Sequence, residues 1–360
     1  VNMRKRVLSI MLFAAAAGSV SAMADNAPLW LRDAAISPDG SRIAFTFKGD
    51  IYTVPTTGGK ASRLTALPSL EWAPVWSPDG TKIAFATDRN GGSDIYIMGA
   101  DGGHATRLTF DSASETPEAF TPDGSEIVFS AAIQDAPSSV MFPTARLTEV
   151  YTVPAAGGRT RQLLSTPAEN ISYLPDGKSF LYHDVKGMEN KFRKHHTSSV
   201  TRDIWLYDAK SGRHTNLTNR YGEDRNPVVA DGGKTLYFLS ERNGGSFNVY
   251  RMSLDNPADV KAVTDFKEHP VRFLSMADNG TLAFGYDGEL YTMKAGGQPQ
   301  KVAVEIDIDE ASPVTDMRFS SGATEAAPSP DGKQMAIIWR GDVFVTSVEH
   351  DSFKQITSTP

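Results

Sequence analysis

Residues 74–109, PVWSPDGTKIAFATDRNGGSDIYIMGADGGHATRLT, contain the pattern that decides the fold. Four short apolar or alternating segments, 74–76, 82–86, 94–98 and 106–109, are separated by polar turns rich in glycine. Strands this short, joined by turns this tight, predict one four-stranded antiparallel sheet. Because one such sheet cannot bury both of its faces, it needs copies of itself on either side.

The turn Ser77-Pro78-Asp79-Gly80 recurs along the whole chain and supplies those copies. Related turns stand at 37–40, 121–124, 174–177, 230–233, 277–280 and 329–332. Successive aspartates are 40 to 55 residues apart, and each turn leads into an apolar strand. Repeats of this length with four strands each are typical of a β-propeller, so the predicted fold class is all-β.

The repeats predict the domain organisation. Six blades of four antiparallel strands occupy 27–304, and the acidic stretch that begins at Glu305 breaks the rhythm, so 305–315 is predicted to be a connector. A seventh repeat occupies 316–360. Either it closes a seven-bladed ring, or it is the first blade of a second, truncated propeller. The connector favours the second interpretation.

Two long insertions, 131–148 and 185–202, both fall between the second and third strands of their blades. Such loops lie on the face of the disc opposite to the Pro-Asp-Gly turns, so one face is predicted to carry both insertions. Loops on a rigid scaffold are where binding residues concentrate. The candidate peptide or channel contacts are Lys191, Arg193, Lys194, His195, His196 and Arg202 from the basic insertion and Phe142 from the apolar one.

Composition and charge exclude several classes of protein. The chain has a net charge of −7, which argues against a nucleic-acid-binding role, and it contains no cysteine. Residues 1–24 have the basic, apolar and small-residue regions of a cleaved signal peptide, which predicts export to the periplasm or cell envelope. The apolar run is too short to span a bilayer, so no stable membrane insertion is expected after cleavage.

The sequence contains turn and loop motifs but no recognisable catalytic or metal-binding motif. There is no G-x-S-x-G nucleophile elbow, no phosphate-binding loop and no H-E-x-x-H spacing. The repeated aspartates lack the spacing of a calcium loop and are interpreted as turn caps. We therefore expect no catalytic residue, no metal and no cofactor in this chain.

The repeat itself resembles the TolB-type propeller repeat, which TolB proteins, prolyl-oligopeptidase relatives and tricorn proteases share. Two longer stretches are more selective. Residues 190–193 with 201–205 resemble the fourth blade of tricorn proteases, and 318–345 resembles the opening blade of their second, seven-bladed propeller. The resemblance covers 27–360.

The resemblance implies the N-terminal propeller region of an exported tricorn-like serine protease. Such proteases cleave oligopeptides, and their catalytic serine and histidine follow a second propeller and a PDZ domain, so no residue here inherits either role. The implied partners are peptides, the C-terminal propeller, PDZ and peptidase domains, and a second copy of the chain. The segment 111–115 departs from the family because it has no arginine pair. The export signal also departs from the cytosolic archaeal relatives.

Two alternatives remain. A TolB-like periplasmic binding or scaffold propeller has the same repeats, although TolB proteins place an α/β domain before the propeller and here the first blade starts soon after the signal. The propeller of a prolyl-oligopeptidase relative is the third interpretation.

Overall fold

The computed structural model describes residues 29–133, 147–187, 190–193, 197–243, 245–307, 321–350 and 353–357. Their regular structure is entirely β, in seven four-stranded antiparallel sheets and one parallel pair of short strands. The all-β propeller class is therefore confirmed. The predicted signal peptide and most of the predicted connector lie outside the described residues. This part of the chain contains no membrane-spanning helix.

The first three sheets follow one another without crossovers. Sheet 1 comprises Arg32–Ile36, Arg42–Phe47, Asp50–Pro55 and Ser62–Arg63. Sheet 2 comprises Glu71–Trp76, Lys82–Thr87, Asp94–Gly99 and Gly102–Arg107. Sheet 3 comprises Glu115–Phe120, Glu126–Ala131, Glu149–Pro154 and Arg161–Leu164.

The next four sheets repeat the arrangement. Sheet 4 comprises Ala168–Tyr173, Phe180–Asp184, Ile204–Asp208 and Arg213–Asn216. Sheet 5 comprises Asp224–Ala230, Thr235–Ser240, Asn248–Ser253 and Val260–Ala262. Sheet 6 comprises Arg272–Met276, Thr281–Tyr286, Glu289–Lys294 and Gln300–Lys301. Sheet 7 comprises Glu325–Pro328, Gln334–Trp339, Asp342–Ser347 and Phe353–Gln355.

The middle strands of sheets 1 to 6 are buried on both faces because each of these sheets is packed between two others. In sheet 2, Ile83 and Phe85 belong to the core shared with sheet 1, whereas Ala84 belongs to the core shared with sheet 3. All three side chains are fully buried. The two-residue period of a strand thus divides one apolar segment between two inter-sheet cores.

The contacts return from sheet 6 to sheet 1. Leu31, at the start of sheet 1, shares a buried core with Leu290 and Val302 of the sixth repeat. The Leu31 amide donates to the Gly288 carbonyl over 2.8 Å. Beyond sheet 6, Val304–Glu305 pairs in parallel with Gly59–Lys60 at the outer edge of sheet 1. The first and sixth sheets are therefore neighbours.

The Pro-Asp-Gly turns are capped as the sequence predicts. In the first of them, Asp39 Oδ1 accepts a hydrogen bond from the Ser41 amide over 3.0 Å, and Gly40 has φ +75°. The Ser37 hydroxyl also donates to this carboxylate, and these hydrogen bonds lower the pKa of Asp39 to about 2. The long insertions likewise fall where predicted, between the second and third strands of sheets 3 and 4.

Candidate functional site

The first strands of sheets 1 to 6 surround a single cavity of about 390 Å³. One lining residue from each of these sheets is Ala35, Val75, Ala119, Ser172, Val228 and Ser275. A cavity to which six consecutive sheets each contribute their first strand is the axial channel of a propeller.

Each of those six first strands has an irregularity near its beginning, which leaves two residues unpaired in five of the sheets and one residue, Glu118, unpaired in sheet 3. The register shifts after the first residues of every one, whereas the first strand of sheet 7 pairs regularly. The first unpaired residues of the shifts are Asp33, Ala73, Glu118, Asn170, Asn226 and Phe273, and all but Glu118 have positive φ. Bulges of this kind re-aim backbone and side-chain groups beside functional sites.

The bulges join neighbouring sheets by hydrogen bonds from the backbone. The Ala73 amide donates to Asp33 Oδ2 at 3.4 Å, and the Asn170 amide donates to Glu118 Oε2 at 2.7 Å. The Asn226 amide donates to Nδ1 of His183 at 3.3 Å. Backbone amides of one sheet therefore hold polar side chains of the preceding sheet in place. Apolar side chains could not accept these hydrogen bonds.

Three titratable groups of sheets 3 and 4 form one buried set. Burial, together with the charge of Glu169, raises the pKa of Glu118 to about 7. Burial also lowers the pKa of His183 to about 4, so its ring is neutral at pH 7. A neutral ring that accepts from Asn226 at Nδ1 carries its proton on Nε2, which lies 3.3 Å from Glu169 Oε2. Although burial acts to raise it, the pKa of Glu169 is lowered by His183 and Lys191.

Residues 190–193 of the fourth-sheet insertion, here called the plug, cross the channel on the insertion face. Lys191 Nζ lies 3.0 Å from Glu169 Oε2 of sheet 4. The Lys191 carbonyl accepts hydrogen bonds from Arg225 of sheet 5 over 2.9 Å and from Arg272 of sheet 6 over 2.8 Å.

The Phe192 ring extends the contacts of the plug to sheet 1. It lies 5.2 Å from the guanidinium of Arg32 and 5.5 Å from that of Arg272. Sheets 4 and 1 stand on opposite sides of the axis when six sheets surround it. A segment that contacts both therefore spans the mouth of the channel.

The plug is tied down by a buried ionic cluster at its base. Arg193 bridges Glu223 and Glu241, and Glu223 also lies 3.3 Å from Nη1 of Arg202 and 3.5 Å from Nη1 of Arg225. Glu223 is fully buried. Burial acts to raise the pKa of Glu223, but the three guanidiniums outweigh that effect and lower it. One carboxylate thus pairs with three arginines, two from the fourth-sheet insertion and one from sheet 5.

The structure brings together only part of the set predicted from the sequence. Lys191 and Arg193 are in the plug, and Arg202 is buried beneath it in the ionic cluster. Phe142, Lys194, His195 and His196 lie outside the described residues. Sequence reasoning missed Glu118, Glu169, His183, Arg225 and Arg272, because they are spread over four repeats and no local motif marks them.

Comparison with known proteins agrees with the propeller fold. The model of the tricorn protease N-terminal β-propeller domain matches residues 28–299. Tricorn protease homolog 1 of Streptomyces coelicolor is 25% identical over 343 residues, which is 93% of this chain and 30% of the relative. An uncharacterized protein of Agrobacterium fabrum, Atu1656, is 25% identical over 197 residues, which is 52% of this chain and 61% of the relative.

Solved structures show the same fold. A crystal structure of the tricorn protease superposes with a TM-score of 0.65 at 22% identity, covering 91% of this chain and 31% of that one. A putative TolB from Agrobacterium tumefaciens gives a TM-score of 0.52 at 23% identity, covering 67% of this chain and 83% of that one. The chain spans less than two thirds of the length of the two curated relatives described above. Because the family model covers most of the described residues, the chain belongs to the family of tricorn protease N-terminal β-propeller domains.

Proposed function

We propose that residues 27–304 form a six-bladed propeller and that 316–360 is the first blade of a second propeller, joined by a connector at 305–315. The return of contacts from sheet 6 to sheet 1 supports the first part. The second part is supported by sheet 7, whose only buried apolar side chain among the described residues is Phe344. Apolar faces left this exposed need further blades to cover them.

We further propose that this propeller is a non-catalytic scaffold that gates or docks oligopeptides for a serine peptidase core in another part of a longer protein. One observation carries the proposal: the plug spans the channel mouth from sheet 4 to sheets 5, 6 and 1. Its anchors on the channel side are the Lys191 ion pair, the hydrogen bonds that Arg225 and Arg272 donate to plug carbonyls, and the cation–π contacts of the Phe192 ring. Such anchors exchange more readily than a packed apolar core.

A TolB-like scaffold in the bacterial periplasm is the second candidate. It is favoured by the fold similarity to the putative TolB, of which this chain covers 83%, and by the export signal predicted at residues 1–24. Both candidates place the chain in the periplasm or cell envelope. They differ in the ligand, which is a peptide in passage for the first and a folded envelope protein for the second.

The gating proposal is tested by chemical access to the channel. The chain has no cysteine, so a cysteine introduced as Ala119→Cys is the only thiol in the protein. A maleimide attached to an unstructured ten-residue peptide is reacted with this variant, and the rate is compared after adding Lys191→Ala and Phe192→Ala. We expect the rate to rise severalfold, because two of the side chains that hold the plug over the channel are removed.

Two further cysteines control for other causes. Ala156→Cys stands in an exposed turn of sheet 3 and reports reagent reactivity, whereas Ala86→Cys is fully buried and reports global unfolding. Both rates are expected to be unchanged by the plug substitutions. An Ala119→Cys rate that does not respond to the plug substitutions would contradict gating by residues 190–193.

A further inference from the structure

A second cavity, of about 260 Å³, lies beside the plug at the seam between sheets 1 and 6. We call it the seam cleft. Its aromatic lining comes from four residues of different parts of the chain: Trp30, Phe192, Phe273 and Tyr286. Its charged lining comes from Arg32, Arg272 and Asp287. The volume is slightly below the roughly 300 Å³ at which small-molecule sites begin, so it suits one or two side chains of a peptide.

The aromatic wall is exposed and held in place. Trp30 is 60% exposed and Phe192 is 52% exposed. Trp30 has φ +56°, a conformation that is rare for a bulky residue. The next residue, Leu31, is buried in the core and bonded to Gly288, so the chain cannot relax by withdrawing Trp30. Strain retained at an exposed aromatic residue is typical of binding sites.

The charge of the cleft is positive on an acidic protein. No described residue forms a hydrogen bond or ion pair with the Arg32 guanidinium, which contacts the ring of Phe192. The Arg272 guanidinium donates hydrogen bonds to carbonyls of the plug. Burial, together with the neighbouring Arg32 and Arg193, lowers the pKa of Arg272 to about 10. Asp287 lies 3.4 Å from His269, which leaves the Arg32 guanidinium available to an incoming anion.

We propose that the seam cleft binds peptide segments in which an acidic side chain stands next to an aromatic one. The carboxylate pairs with Arg32, and the aromatic ring lies against Trp30 and Tyr286. Guanidinium and carboxylate form two parallel hydrogen bonds, and aromatic rings contribute area and edge contacts in such a cleft. This inference rests on the proposed peptide-docking function and names the class of peptide that docks.

The test uses the purified 360-residue chain and fluorescent hexapeptides blocked at both termini, so that no terminal charge contributes. Four peptides differ only at the two central residues: Phe-Glu, Phe-Gln, Ala-Glu and Phe-Lys. Binding is measured by fluorescence anisotropy at low salt. We expect Phe-Glu to bind about tenfold more tightly than Phe-Gln, because a charge-assisted hydrogen bond is lost. Ala-Glu and Phe-Lys are expected to bind more weakly than Phe-Glu.

Substitutions assign the binding to the cleft. Arg32→Gln is expected to abolish the preference for Phe-Glu over Phe-Gln, and Trp30→Ala to weaken both peptides. Both residues are exposed, and circular dichroism verifies that the variants fold. The matched controls are Arg159→Gln and Phe110→Ala, an exposed arginine and an exposed aromatic residue elsewhere, and both are expected to bind like the native chain.

Three outcomes would overturn the inference. Equal affinity for Phe-Glu and Phe-Gln, or a preference that survives Arg32→Gln, would remove Arg32 from the site while leaving peptide docking intact. Failure of every peptide to bind would end the inference, and the channel-access rates would then decide the gating proposal independently. Dimers of the chain that disappear in Trp30→Ala would assign the cleft to a second copy instead.

Discussion

At the scale of single residues, the channel wall contains titratable groups whose burial lowers the free energy of unfolding when they are charged. Glu118 is an example. Its folded pKa of about 7 lies above the ordinary value of 4.5, so the folded protein binds a proton more tightly than the unfolded chain. The stability that this proton confers is present at low pH and is lost as the pH rises from about 4.5 to about 7.

Glu118→Gln is expected to remove that dependence. The glutamine carbonyl accepts from the Asn170 amide, and its NH2 group donates to the Ser130 hydroxyl, so both existing partners are kept. We expect the free energy of unfolding at pH 8 to rise by about 1–2 kcal/mol. Urea denaturation at pH 8 and at pH 4.5 measures it, and the two proteins should converge at the lower pH. A variant less stable than the native chain at pH 8 would refute the assignment.

The ionic cluster under the plug predicts an asymmetry between its carboxylate and its arginines. Glu223→Gln leaves the guanidiniums of Arg193, Arg202 and Arg225 facing one another without the carboxylate that they share. We expect it to cost about 3 kcal/mol of unfolding free energy in urea denaturation, which is typical of breaking a buried ion pair.

Glu126→Gln is the matched control for that substitution. Glu126 pairs with Arg161 at the surface, where the arginine side chain is 66% exposed, so its loss should cost less than about 1 kcal/mol. Equal costs at the two positions would mean that the cluster does not hold the plug region together.

At the scale of the strand, the bulges of the channel wall separate what the sequence predicts from what it does not. The Pro-Asp-Gly turns and the strands that follow them were predictable, because each turn encodes its own geometry in three adjacent residues. The bulges were not predictable, because their hydrogen bonds go to the neighbouring sheet. Asp33 and Ala73 occupy equivalent positions and have no sequence feature in common.

The same division applies to the candidate site. Lys191 and Arg193 were identified because they fall in one basic insertion. The residues that contact Lys191 come from separate repeats and meet only in the folded structure. Glu169 pairs with its ammonium group, and Arg225 and Arg272 donate to its carbonyl. Arg202 belongs to the same basic insertion, yet the structure places it in the buried cluster, which the local charge pattern could not indicate.

The bulge conformation predicts that an alanine-to-glycine substitution changes the unfolding free energy in opposite directions in the first strands of sheets 2 and 3. Ala73 has φ +51°, whereas Ala119 in sheet 3 is not in the left-handed region. Ala73→Gly should therefore raise the unfolding free energy by about 0.5–1 kcal/mol, since glycine adopts this conformation without strain. Ala119→Gly should lower it by a similar amount. Thermal denaturation of both variants checks the signs, and a loss of stability in Ala73→Gly would contradict the strained bulge.

At the scale of the whole molecule, the proposed ring depends on the contacts that return the chain to sheet 1. Gly58 and Gly157 occupy the same kind of turn in sheets 1 and 3, with φ of +85° and +84°. A Cβ at Gly58 would lie 2.7 Å from the Ala303 carbonyl oxygen, whereas a Cβ at Gly157 meets nothing within 4 Å. Comparing alanine substitutions at Gly58 and Gly157 therefore separates the contact with Ala303 from the conformational strain of the turn itself.

We expect Gly157→Ala to cost about 1 kcal/mol, from the left-handed conformation alone, and Gly58→Ala to cost about 1–3 kcal/mol more. Urea denaturation of the two variants provides the comparison. Equal costs would indicate that residues 303–305 do not lie on sheet 1 in solution.

The channel, the plug and the seam cleft all require sheets 1 and 6 to be neighbours, and one distance comparison tests this most directly. Spin labels are attached to introduced cysteines at Ser41 and Asp278, in the turn regions of sheets 1 and 6, and in a second sample at Ser41 and Lys178, in those of sheets 1 and 4. Pulsed dipolar spectroscopy measures both separations. A closed ring of six sheets predicts that the 41–278 distance is clearly the shorter, whereas a longer 41–278 distance would show an open array and contradict the ring.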